Sequence, residues 1–114
     1  MTYITKTYDI SSFIKNIQHE DLSHYNITAL PHNADLGNGA KLPLSLKHIY
    51  PHGISAYDSN ATIIYDGSMS SWRKINKAEY WCDFDFDGYN ILTVICSDGE
   101  IKYRRFDYEI QEVS

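Results

Sequence analysis

Tyr80-Trp81-Cys82-Asp83-Phe84-Asp85-Phe86-Asp87-Gly88-Tyr89 alternates strictly enough to define one strand with two unlike faces. Tyr80, Cys82, Phe84 and Phe86 point one way, and Glu79, Trp81, Asp83 and Asp85 the other. Three carboxylates and an indole on one side of a strand repel one another unless a cation, a metal or a basic partner relieves them. The acidic face therefore reads as a recognition feature.

Downstream, Asp87-Gly88 and Asp98-Gly99 are the residue pair that two-residue type I′ turns favour, since both central positions need φ > 0. They predict a three-strand meander over about 78–86, 89–97 and 100–110. Counting outward from those turns pairs Phe86 with Tyr89, Phe84 with Ile91, Ile91 with Phe106 and Tyr89 with Tyr108. One face then collects Phe84, Phe86, Tyr89, Ile91, Phe106 and Tyr108 as core. The other has an apolar end (Trp81, Leu92, Val94, Cys96, Ile101, Tyr103) and a polar end (Asp83, Asp85, Asn90, Arg105, Asp107).

Upstream, Thr2 to Tyr8 reads as a first strand. Ile10, Phe13, Ile14 and Ile17 recur at helical spacing behind a cap at Asp9, Ser11 or Ser12, and predict an amphipathic helix that covers the core face. From His24 to Pro43 the chain reads as a long irregular loop with a turn at Asn38-Gly39. Leu42, Leu44, Leu46 and Ile49 anchor a short segment that Pro51 ends. Ile54–Tyr57 and Ala61–Tyr65 flank Asp58-Ser59-Asn60 as a hairpin, and Ser68 to Asn76 forms a polar excursion carrying Trp72. No internal repeat is visible. The expected fold is a single α+β domain over 1–114, with that helix, and room for a second short one, on a mostly antiparallel sheet of five to six strands.

At 114 residues the chain fits one core. Its net charge of −5 is unevenly spread. Residues 1–77 carry seven basic and six acidic side chains, whereas residues 78–114 carry three basic and nine acidic ones. The whole acidity sits in the C-terminal third, which repels phosphate backbones and suits a positively charged protein partner. Ten tyrosines add rings with polar tips, a residue type enriched at interfaces. The sequence shows no secretory h-region and no apolar run of membrane-spanning length. Two cysteines without CxxC spacing read as reduced and unbridged, so a cytoplasmic location is expected. Asn26-Ile27-Thr28 and Asn60-Ala61-Thr62 read as chance matches to the glycosylation pattern.

Asp83-x-Asp85-x-Asp87-Gly88 resembles the opening of an EF-hand calcium loop, with carboxylates at positions 1, 3 and 5 before the turn glycine. The likeness ends there. Position 12 is Val94 instead of Glu, position 8 is Asn90 instead of an apolar residue, and Phe84 and Phe86 intervene. The histidines, His19, His24, His32, His48 and His52, have no zinc spacing. A hydrolase would have to join one of them to Asp83, Asp85 or Asp107, and no nucleophile elbow or phosphate-binding glycine loop accompanies them.

The favoured expectation is a small acidic cytosolic protein that inhibits or neutralises a basic, nucleic-acid-acting protein by covering its positive surface. In general character it is similar to bacterial nuclease-toxin immunity proteins and phage anti-defence inhibitors, which implies a nuclease toxin or defence effector as partner. Glu79, Asp83, Asp85, Asp107 and Glu109 would steer and pair with Lys or Arg, and Trp81, Tyr103 and Trp72 would anchor. No catalytic residue, cofactor or metal belongs to that reading. The alternatives are a calcium-binding module using Asp83, Asp85 and Asp87, and the small hydrolase.

Overall fold

The structure, a computed structural model, describes residues 21–85 and 88–113. Its strands are β1 (Ala29–Leu30), β2 (Lys41–Leu42), β3 (His48–Ile49), β4 (Ile54–Ala56), β5 (Ala61–Tyr65), β6 (Asn76–Lys77), β7 (Cys82–Phe84), β8 (Leu92–Cys96), β9 (Gly99–Phe106) and β10 (Glu109–Val113), with one helix, α1 (Met69–Lys74), between β5 and β6. The expected α+β layering is not found. The described residues are mostly strand, and α1 is too short to cover a sheet. The strand expected over 2–8 and the helix expected over 10–17 lie outside the described residues.

Pairing is parallel through most of the chain. One sheet runs β1-β3-β6, a second pairs β4 with β7, and a third runs β10-β9-β8-β5-β2. Isolated parallel bridges join Asp21 to Lys41 and Leu36 to Ile54. The chain thus visits three sheets in turn, in stacked coils. Asp21 with Lys41, Ala29 with His48 and Leu36 with Ile54 give coil lengths of 20, 19 and 18 residues. Inserting α1 lengthens the next coil, so that His48 meets Asn76 and Ile54 meets Cys82, each 28 residues on.

A coil of this kind has an inside, and like positions of successive coils fill it. Leu22, Leu42 and Tyr65 form one inward row, Ala40, Ile63 and Val94 another, and Leu36, Ile54 and Cys82 a third, all buried. Sequence inspection finds no repeat because only spacing and inward hydrophobicity recur, not residue identity. The stretch read as an irregular loop over 24–43 supplies β1 and β2. The strands read as a hairpin over 54–65 exist, but β4 pairs with β7 and β5 with β2 and β8.

The aromatic strand is also placed differently. Its Cys82–Phe84 segment pairs in parallel with β4, register Ile54 to Cys82 and Ala56 to Phe84, and not with β8. β7 and β8 are thus not the hairpin neighbours expected. At Gly88, φ is +70°, and a Cβ there would lie 2.8 Å from the Arg105 carbonyl, so the corner presses against β9 in a way only glycine permits.

The antiparallel part survives with a shifted register. Cys96 faces Gly99 and Leu92 faces Tyr103, so the turn is Ser97-Asp98, not Asp98-Gly99. A slip of two residues leaves side chains on their faces. The third strand divides at a second turn, Asp107-Tyr108, with Asp107 at φ 53°. The core, however, lies on the opposite side of β8 and β9 from the one expected. Leu92, Val94, Cys96, Ile101 and Tyr103 are buried against the coil interior, while Tyr89 and Tyr108 are both 75 % exposed and Phe106 is 41 % exposed. β8 continues the parallel sheet from β5, and its inward residues must follow Ala61 and Ile63.

Four rings seal the end of the stack. Tyr65 meets Trp72, Trp72 meets Trp81, and Trp81 meets Tyr103 edge to face, at centroid distances of 5.3, 6.1 and 5.1 Å. Trp72 Nε1 donates to Tyr103 Oη at 2.8 Å, which satisfies both polar atoms inside the core. Helix α1 forms because Ser68 caps it, its side chain accepting from the Ser71 N–H. Cys82 and Cys96 are free and buried. No helix among the described residues is long and apolar enough to cross a membrane.

Candidate functional site: a groove beside β7

The turns between the β1-β3-β6 sheet and the β4-β7 sheet stack into one corner. Asp35, His52 and Tyr80 have φ of 52°, 60° and 57°. Left-handed backbone is uncommon outside glycine, least so for Asn, Asp and His. The parallel ladder crosses the corner, with the Asp35 N–H donating to the His52 carbonyl and the His52 N–H to the Tyr80 carbonyl, at 3.0 and 2.8 Å. The left-handed turn at Tyr80 breaks the strand alternation just before β7. Trp81 consequently goes inside beside Cys82 instead of outward beside Asp83.

Beyond this corner lies a groove of about 290 Å³, lined by His52, Tyr80, Cys82, Asp83, Phe84, Arg105, Tyr108 and Ile110. A second cleft of about 320 Å³ shares Tyr80, Tyr108 and Ile110 and adds Lys77, Glu79, Trp81 and Glu109. Tyr80 and Tyr108 thus form a ridge between two concave surfaces, flanked by Glu79, Asp83 and Glu109. Histidine Nδ1 of His52 contacts Asp83 Oδ1, and the His32 ring lies 5.7 Å from that of His52. Burial, followed by the nearby Asp83 charge, holds the Asp35 carboxyl above its ordinary value. Burial pushes the Cys82 thiol far up, so it is a neutral core group and not a nucleophile.

Lys77 closes the inner end. Its register places it in the inward row after Leu30 and Ile49, where an ammonium is out of character. Nζ donates to the Trp72 and Ile75 carbonyls at 2.8 and 3.2 Å and sits 4.9 Å from the centre of a Trp72 ring. Those carbonyls end α1, so the cation meets the negative end of a short helix. Burial nevertheless lowers its pKa to about 8.

Of the residues singled out by sequence, Glu79, Asp83 and Glu109 come together around the Tyr80–Tyr108 ridge. Asp85 is turned aside, accepting from the Asn90 N–H at 3.4 Å, and Asp107 stands exposed at the β9–β10 turn. Trp72, Trp81 and Tyr103 are 0, 6 and 6 % exposed and seal the core, so they are not the surface anchors expected of them. Tyr80, Tyr108, Ile110 and His52 were missed as one surface. Only Asp107, a residue tolerant of left-handed backbone, signalled the turn that brings Tyr108 there.

Asp83 is engaged with His52 and Asp85 with Asn90, so neither is arranged as a calcium-loop ligand; Asp87 lies outside the described residues. Among the described residues, no three His, Cys, Asp or Glu side chains converge to hold a metal ion. Compared with known proteins, the chain matches no family model, no curated protein and no solved structure.

Proposed function

We propose that the protein is a binding protein that neutralises a basic, nucleic-acid-acting partner by docking on the Tyr80–Tyr108 ridge. The observation that carries this reading is the pairing of two exposed rings with three flanking carboxylates on the rims of adjoining clefts. Tyrosines supply rigid contact area at low entropic cost, and the carboxylates steer a positive surface into register. Of the two cations lining the clefts, Lys77 is turned inward onto carbonyls, and Arg105 Nε donates to the Asp107 carbonyl at 2.7 Å.

The test uses the product of the adjacent gene as the first basic candidate, with association measured against immobilised protein over a salt series. Joint reversal of Glu79 and Glu109 to Lys should slow association and flatten its salt dependence. Unchanged kinetics in the double variant would remove the proposal's support.

A second reading, the small hydrolase, is favoured by one contact, His52 with Asp83 at the groove mouth. A carboxylate on Nδ1 orients an imidazole as a general base. His52→Ala separates the two: a hydrolase loses turnover, whereas the binding protein keeps its partner.

A further inference from the structure

β7 is an edge strand among the described residues, with β4 on one side only. The groove is lined by Cys82, Asp83 and Phe84 together. Side chains of consecutive strand residues point to opposite faces, and here Cys82 and Phe84 face the core while Asp83 is half-exposed. A cavity touching all three meets the strand on its edge, where backbone N–H and C=O groups point sideways. Its opposite wall is Arg105, Tyr108 and Ile110 from β9, the hairpin turn and β10.

We infer that this groove is a strand-accepting site: an extended basic segment of the partner adds to the free edge of β7 as the third strand of the β4–β7 sheet. This rests on the binding reading above and names its mode. Edge addition draws affinity from main-chain hydrogen bonds and specificity from alternate side chains. A volume near 290 Å³ holds a short extended stretch and not a folded element. Side chains of the added strand alternate between the apolar Ile110 and Tyr108 wall and the solvent side, where Asp83 lines the groove and Glu79 and Glu109 line the cleft that adjoins it across Tyr80 and Tyr108, so alternating apolar and basic residues fit best. A second copy of the chain fits poorly. Self-pairing of β7 would bring Asp83 against Asp83, and β10 as donor would bring Glu109 and Glu112 into an already acidic rim.

Three blocked six-residue peptides test this against the full chain labelled with ¹⁵N. One alternates lysine and valine, one alternates glutamate and valine, and one is the lysine peptide with alternate backbone nitrogens methylated. The lysine peptide should shift the amide resonances of Cys82 and Phe84, whose N–H groups point away from β4 in this register, and slow their solvent exchange. The methylated peptide keeps its charge but loses backbone donors, and should bind at least about tenfold more weakly. Equal binding of the methylated peptide would overturn strand addition while leaving an acidic docking surface. Equal binding of the glutamate peptide would instead overturn the basic-partner reading. Shifts confined to β10, no shift with any peptide, or β7 shifts that follow protein concentration alone would each overturn the inference.

Discussion

From β2 to β8 the long sheet joins strands 23 and 31 residues apart in sequence, whereas from β8 to β10 it grows through the two-residue turns Ser97-Asp98 and Asp107-Tyr108. The parallel part must close long loops before any contact rewards it, and it holds together because every coil fills the same interior. The antiparallel part is locally determined and needs no such interior until β9 folds its inner face over the end of the stack. The junction of the two is aromatic, and Trp72 touches both sides. Removing it should therefore cost more than any change confined to one part. Trp72→Ala is expected to lose about 3–5 kcal/mol, read from urea midpoints with an unchanged slope. A loss below that of a single aliphatic truncation would show that the coils and the hairpins are not sealed to each other there. Trp81→Ala should match Phe84→Ala in size, because both side chains are buried.

Within the parallel part the inward and outward rows of a single sheet can be set against each other. Leu42 is fully buried, and Leu42→Ala should cost about 2–5 kcal/mol. Ile95, 40 % exposed on the outer face of the same sheet, should cost clearly less on the same change. Similar losses would mean that the outer face is covered as well, which chemical denaturation of the two variants decides.

The same contrast explains what could be read in the residues. Alternation in Leu92–Cys96 and Gly99–Phe106, with a turn-forming pair between them, identified two neighbouring strands and missed the register by only two residues. The coils gave no such signal. Their strands are mostly two or three residues long, too short for a period of two to show, and each pairs with a segment 18 or more residues away. Asp87-Gly88 carries a strong hairpin signature, but β7 and β8 on its two sides belong to different sheets and do not pair. Which face of β8 is buried could not follow from β8 alone, since that depends on Ala61 and Ile63 beneath it. Glu79 and Glu109 stand exposed and Asp83 half-buried on the clefts beside Tyr80 and Tyr108, whereas Trp81 is buried because the left-handed turn at Tyr80, which leaves no mark in the residue pattern, carries it inward.

Lys77 probes the junction more gently. Its folded pKa of about 8 lies below the 10.5 of an ordinary lysine, so between those values the unfolded chain holds the extra proton and stability rises with pH. Tyr103 acts in the opposite sense. Burial pushes it up to about 12, so above pH 10 the unfolded chain has released a proton that the folded chain keeps, and stability falls. The thiols of Cys82 and Cys96, which burial also pushes up from 9.0, act in the same sense as Tyr103 from about pH 9, so denaturation midpoints should climb from pH 8 to about 9 and drop beyond. Lys77→Met should abolish the climb and, at pH 7, be neutral or stabilising by on the order of 1 kcal/mol, as expected when a desolvated charge is replaced by an apolar side chain. A climb that persists in the variant would assign it to another group.

The smallest effect on folding is expected where the proposed effect on binding is largest. Tyr108 belongs to the antiparallel part, occupies a turn, and leaves three quarters of its surface in solvent. Its ring makes one wall of both clefts and contributes little to the interior that Trp72 and Leu42 hold together. Tyr108→Ser should thus change stability by no more than about 0.5 kcal/mol while weakening association with a basic partner. The two readouts are independent, and thermal melting beside binding kinetics gives both from one preparation. A large melting shift would make Tyr108 part of the seal between the two regions. An unchanged melt with unchanged binding would move the docking surface away from the β9–β10 turn and onto the coils.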